Sequence, residues 1–170
     1  MEHKLKTISS AGIAEAVSKV ELYRYLNEPE EAESICRDIL AVEPDHQLAH
    51  RLLGLCITDQ FTGHASDRYG EAESNFRKLT DHYEQLYYMG LLYERRAKAQ
   101  LRTGCPPHAV LVLFEAAMHC FEEAEKIHPV GNDDAILRWN RCVRLLQSKS
   151  ELEWRRETTE TWDHGDSPPV

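Results

Sequence analysis

Leu86-Tyr87-Tyr88-Met89-Gly90-Leu91-Leu92-Tyr93 and, further on, Ala117-Met118-His119-Cys120-Phe121-Glu122-Glu123-Ala124-Glu125-Lys126-Ile127-His128-Pro129 are the two halves of one pattern. The first half sets a large apolar residue, then Met-Gly, then Tyr along one helix. The second spaces Ala117, Phe121 and Ala124 along another and stops at Pro129. Small residues at such positions let two helices approach and large ones fill the gaps, so the pair predicts a helical hairpin. The same frames recur upstream. Ala32, Cys36, Ile39 and Pro44 repeat the second half; His50, Leu53-Gly54 and Ile57 repeat the first; Tyr69, Ala72, Phe76 and Leu79 repeat the second again.

The intervening residues extend the pattern in both directions. Ile13, Ala16, Val17, Val20, Tyr23 and Leu26 have the spacing of an amphipathic helix, which the turn at Pro29 ends. Glu30 and Glu31 then suit the positive end of a second helix running to Pro44, and Asp45 can cap a third. After Ile57 the frame is lengthened by about six residues within Phe61 to Asp67, which implies an enlarged turn or a longer first helix. From Gly90 to Ala117 the lengthening is about fifteen residues. The helix should therefore continue to about Thr103, end at Gly104 and restart at Pro106-Pro107, giving two long helices that stand proud of the stack. Gly131-Asn132 breaks the chain, and Asp133 or Asp134 caps a helix carrying Ala135, Ile136, Trp139, Val143 and Leu146. Residues 151–157 extend it or form a short last helix with Leu152 and Trp154. Residues 1–10 are expected to be a flexible N-terminus, 11–157 a helical domain, and 158–170 an acidic, disordered tail.

Taken together, the frames resemble the tetratricopeptide repeat over about Ile13 to Leu146, with about three repeats and a C-terminal capping helix. The resemblance implies an all-α fold of antiparallel helical hairpins, stacked as a short superhelix with the third hairpin elongated. It also implies a protein-interaction scaffold or adaptor, with a chaperone-like role as a variant, whose first helices line a concave groove. The family's groove positions fall here on Leu48, Arg51, Leu55 and Thr58, on Tyr87, Leu91 and Glu94, and on Leu137, Arg141 and Arg144. On residue type alone, Leu48, Leu55 and Leu91 fit packing between hairpins equally well. Some relatives grip a C-terminal carboxylate with Lys and Asn. The matching positions carry Val17, Glu21, Leu52, Glu84 and Tyr88, so that mode is not expected.

Composition narrows the function. The chain has 170 residues, 42% of them apolar and 29% charged, enough for one domain with a core. A net charge of -9 argues against nucleic-acid and anionic-membrane partners and favours basic or neutral ones. Two basic stripes run against that balance: Arg138, Arg141 and Arg144, and Arg95, Arg96, Lys98 and Arg102. They are either solvated faces compensated by Glu94 and its neighbours or docking sites for an acidic segment, the chain's own tail included. There is no signal-peptide pattern and no apolar run of membrane-spanning length. Cys36, Cys56, Cys105, Cys120 and Cys142 lack paired spacing and read as reduced core residues of a cytoplasmic protein.

Catalytic motifs are missing: no phosphate-binding glycine loop, no nucleophile elbow, no paired-cysteine framework. His46 and His50 lie one helical turn apart, but no glutamate follows His46 and no third ligand is apparent. His50 also fills a packing position of its repeat. The expectation is a non-enzymatic module without catalytic residue, metal or cofactor, binding a protein or peptide of unstated identity. Two alternatives remain open. One is a helical metal- or ligand-binding enzyme whose pocket the third hairpin and the Gly63 to Asp67 loop enclose; the other is a homo-oligomer formed through that hairpin.

Overall fold

The computed structural model describes residues 3–154, which are all-α, with no strand among them. The helices are α1 (Ile13–Tyr25), α2 (Pro29–Val42), α3 (Gln47–Asp59), α4 (Tyr69–Arg77), α5 (His82–Arg102), α6 (Pro107–Glu125), α7 (Asp134–Gln147) and α8 (Glu151–Trp154). The readings for residues 155–157 and for the tail 158–170 lie outside the described residues. Ahead of α1, residues 3–9 have no regular structure, but Ile8 already packs on the first core.

Local chemistry explains most helix ends. Asn27 takes a left-handed φ of 60° after α1, letting the Glu28 N–H donate to the Tyr23 carbonyl at 2.9 Å. Gly104 does the same after α5 with φ of 87°, and the Cys105 N–H closes onto Gln100 at 3.0 Å. Asp81 starts α5 by accepting from the Glu84 N–H at 2.8 Å. Two caps differ from expectation. The α3 cap is His46, not Asp45: its Nδ1 accepts from the Ala49 N–H at 3.1 Å. At α7 the side-chain acceptor is Asn132, whose Oδ1 takes the Asp134 N–H at 3.0 Å, while Asp133 makes no capping bond.

Each of the first six helices packs on the next in sequence. The odd-numbered helices also approach one another in succession, α1 to α3, α3 to α5 and α5 to α7, whereas α2 meets α4 through the Arg37–Glu71 ion pair at 2.6 Å without comparable backbone packing, and α4 has no such packing on α6. The odd layer is thus the tighter one. Glycines set the approach within two hairpins: a Cβ on Gly54 would stand 2.4 Å from the Phe76 ring, and one on Gly90 2.7 Å from the Phe121 ring. Phe76 and Phe121 are fully buried, each contributing about 2–3 kcal/mol of apolar burial. A row of rings then joins two core clusters. Phe76 stacks on Tyr88 at 5.5 Å, Tyr88 meets Tyr87 edge-on at 5.0 Å, and Tyr87 tilts against Phe121 at 5.9 Å.

The extension of α5 does not stand free of the stack, contrary to the sequence-based expectation, and the lengthened segment after α3 is an enlarged turn, one of its two expected forms. The extra residues after α3 form a turn, residues 60–68, that lies on the extension of α5. At Gly63, φ is 89° and a Cβ would fall 2.4 Å from the Ala99 carbonyl oxygen, so only glycine fits there. On the other side α6 covers the extension, with Ala97, Val110 and Phe114 fully buried, and α8 packs on α6 in turn, Trp154 meeting Phe114 edge-on at 6.0 Å. The Trp154 indole N–H donates to the Leu146 carbonyl at 2.8 Å. Leu26, expected in the core, is 52% exposed, because α1 ends at Tyr25 and the following turn carries it outward.

An ion cluster ties α2 to the 60–68 turn and α4. Arg68 donates both terminal nitrogens to the Glu33 carboxylate at 2.6 Å each, joined by Arg37 at 2.6 Å and Gln60 at 2.7 Å. The Arg68 hydrogen bonds, followed by those of Arg37 and Gln60, hold the Glu33 carboxyl at about 2 against the opposing effect of burial.

Candidate functional site

A depression of about 520 Å³ crosses the odd-numbered layer and is lined by Glu21, Arg24 and Tyr25 from α1, Arg51, Leu52 and Leu55 from α3, and Tyr88 from α5. Tyr25 is 88% exposed. Arg51 pairs with Glu84 at 2.6 Å and lies 5.9 Å from the Tyr88 ring centroid. The depression therefore offers aromatic and aliphatic surface beside guanidinium groups.

The charges along this layer are unevenly matched. Asp59, at the end of α3, accepts from the Arg24 Nε at 2.8 Å and also from Arg95. Burial pulls the Arg95 guanidinium below its ordinary value, with Asp59 opposing. Glu94, fully buried on α5, is paired with both Lys98 and, at 3.5 Å, Arg138 of α7. Each of these carboxylates thus serves two cations and leaves about one positive charge in excess at its cluster. Arg141 and Arg144 on α7 are exposed and have no ion-pair partner among the described residues. A chain of net charge -9 carries local positive excess on one layer.

The groove positions implied by the resemblance divide under this geometry. Arg51 and Leu55 line the depression, Leu48 is half-buried against the first core, and Tyr87 belongs to the ring row. Leu137, at 63% exposure, and Arg141 and Arg144 are on the open surface of α7. Thr58, Leu91 and Glu94 are buried and form no open groove surface. Thr58 donates to the Leu55 carbonyl at 2.8 Å and accepts from Arg95 at 2.6 Å, Leu91 is core, and Glu94 is the carboxylate of the inner ion cluster. Their positions are covered because α5 and α7 close over them. Arg24, Tyr25, Asp59 and Arg95 were not singled out for this surface from sequence. Tyr25 did carry a signal: it is an aromatic lying off the apolar side of α1 marked by Val17 and Val20.

The histidine pair is committed to structure. His46 caps α3, and His50 is buried, with Nδ1 2.8 Å from Asn75 Oδ1 and Nε2 2.7 Å from the Pro44 carbonyl. His119, Glu122 and Glu123 on α6 bring three potential ligand atoms within 4.8 Å of one another, but Glu123 is ion-paired to Lys126 at 2.6 Å. Cys36, Cys56 and Cys142 are buried, whereas Cys105 and Cys120 are only partly so. At two of the buried ones the surroundings favour the thiol form: a hydrogen bond with Cys56 and burial push Cys36 up, and burial together with Glu94 pushes Cys142 up to about 12.

The turn after α3 and the α5 extension enclose a smaller pocket of about 320 Å³, the enclosure anticipated for a ligand site. No described helix is long and apolar enough to cross a membrane. Comparison of the chain with protein-family models, with curated proteins and with solved structures found no match.

Proposed function

We propose that this chain is a protein-interaction scaffold of the tetratricopeptide-like kind, which holds an acidic segment of a partner across α1, α3 and α5. The observation that carries the reading is the depression across three odd-numbered helices, whose lining residue Arg24 shares the single carboxylate of Asp59 with Arg95. A partner carboxylate takes up the excess positive charge at the Arg24-Asp59-Arg95 cluster, where guanidinium groups give short, charge-assisted hydrogen bonds. Tyr25 and the half-buried Tyr88 supply aromatic contact, the kind of anchor that dominates binding energy once water is displaced. The packed helices are already in place, so the ordering cost falls mainly on the partner. In this reading the chain carries out no chemistry of its own and acts in the cytoplasm.

A pull-down from the source cell's lysate tests this. A partner retained by wild type and by Val112→Ser on α6, but lost with Tyr25→Ala plus Arg51→Ala, supports the reading. Its capture should also weaken as salt is raised, since exposed charge pairs are screened over about 10 Å at 0.1 M. Equal capture by all three proteins removes the odd-numbered layer as the docking surface.

A further inference from the structure

The pocket beside the 60–68 turn stands on different residues and is built differently. Phe61, Gly63, His64, Tyr69, Arg96 and Gln100 line most of it, with Asp67 in the wall. Its loop is braced. Asp67 accepts from the Thr62 N–H at 2.9 Å, the Thr62 hydroxyl at 2.8 Å and the Gly63 N–H at 2.8 Å, and Gly63 sits against the α5 backbone at Ala99. Burial alone would raise the Asp67 carboxyl, but these hydrogen bonds leave it below its ordinary value, a charge spent on holding the loop.

The remaining polar groups are unspent. The Arg96 Cζ lies over the Tyr69 ring, 4.2 Å from its centroid, a contact that uses none of the guanidinium's N–H donors. Neither the Arg96 guanidinium, the Gln100 amide nor the His64 ring has a hydrogen-bond partner among the described residues, while every buried side-chain nitrogen and oxygen there is satisfied. Arg96 and Gln100 are one helical turn apart on the same side of α5. Phe61 and Tyr69 supply apolar walls. A guanidinium presents the fork that matches a carboxylate, and the nearby Asp67 charge disfavours a doubly charged ligand.

We propose that this pocket binds a small organic carboxylate, with Arg96 gripping the carboxylate and Gln100 and His64 as further donors. The volume, near the lower end for small-molecule sites, suits a metabolite-sized acid.

Titration of the full chain with the monocarboxylates lactate, pyruvate and benzoate, followed by the melting temperature and by the Arg96 Nε–Hε resonance, tests the proposal. Inorganic phosphate and benzamide serve as comparisons. At least one acid should bind at roughly millimolar concentration or below and shift the Arg96 resonance. Arg96→Gln should weaken it by about tenfold or more, Arg96→Lys by less, and Tyr25→Ala not at all. Should Arg96→Gln fail to fold, Gln100→Ala, at a solvent-reachable position, must reduce the affinity instead. The proposal is overturned if none of the acids binds at that concentration, if Arg96→Gln and Gln100→Ala bind them as wild type does, or if phosphate binds more tightly than every carboxylate.

Discussion

Gly54→Ala should destabilise this protein even though alanine is the better helix former. A Cβ at position 54 would lie 2.4 Å, 2.7 Å and 2.8 Å from three carbons of the Phe76 ring, where ordinary contact is about 3.5–4.0 Å. The ring has no room to retreat, because it is fully buried and stacked on Tyr88, which Tyr87 holds edge-on from another side. Overpacking of this kind costs about 1–3 kcal/mol, and the 2.4 Å approach belongs at the upper end. Helix propensity returns about 1 kcal/mol. The net loss should be about 2 kcal/mol, a drop in melting temperature of about 4–8 °C for a chain of this size. Urea unfolding followed by circular dichroism measures it; the midpoint should fall while the slope with denaturant stays constant. Adding Phe76→Leu should recover part of the loss, with a coupling of about 1 kcal/mol or more between the two sites. A raised midpoint for Gly54→Ala, or strict additivity of the pair, would refute the close approach on which the hairpin geometry rests.

Three further outcomes follow from the interior. Glu33 has a folded pKa of about 2, below its unfolded value, so its contribution is complete above the unfolded pKa and is lost as pH falls towards the folded one. With Arg37 and Arg68 partly solvated, that contribution is about 2 kcal/mol, and Glu33→Gln should flatten the acid limb of a stability profile measured between about pH 5 and 2. Glu94→Ala should cost about 2–4 kcal/mol in urea unfolding, because it leaves Lys98 and Arg138 beside an emptied interior site, and Glu94→Gln should cost less. Under native conditions a maleimide should label Cys105 well before Cys36, Cys56 or Cys142, and mass spectrometry of the labelled peptides should show the last three protected until the protein unfolds.

Features carried by neighbours in sequence were legible before the structure. The end of α5 at Thr103 and Gly104, the restart at Pro106-Pro107 and the Gly54 and Gly90 positions are properties of short windows, where backbone preference and helical spacing act alone. The joint packing of the two lengthened segments was not legible. Gly63 lies against Ala99, and no periodicity in either segment reports a contact between residues so far apart. The same reason explains the groove positions. The tetratricopeptide resemblance implied a groove-facing side for Thr58, Leu91 and Glu94, but whether that side is open depends on what covers it, here Arg95 at Thr58 and Arg138 at Glu94. Arg95 and Lys98 likewise belonged to a basic stripe in sequence and prove to be the cationic partners of Asp59 and Glu94. The cap at His46 was missed because an imidazole seldom takes that role beside an aspartate.

Photo-crosslinking from position 25 in the source cell tests the docking claim most directly. Tyr25, 88% exposed at the edge of the depression, can be replaced by p-benzoylphenylalanine without disturbing the core, and Val112, 64% exposed on α6, serves as the comparison. The account predicts a crosslinked partner from position 25, attached through an acidic segment and lost on Arg51→Ala, with none from position 112. Crosslinking from position 112 alone, or equally from both, would contradict it.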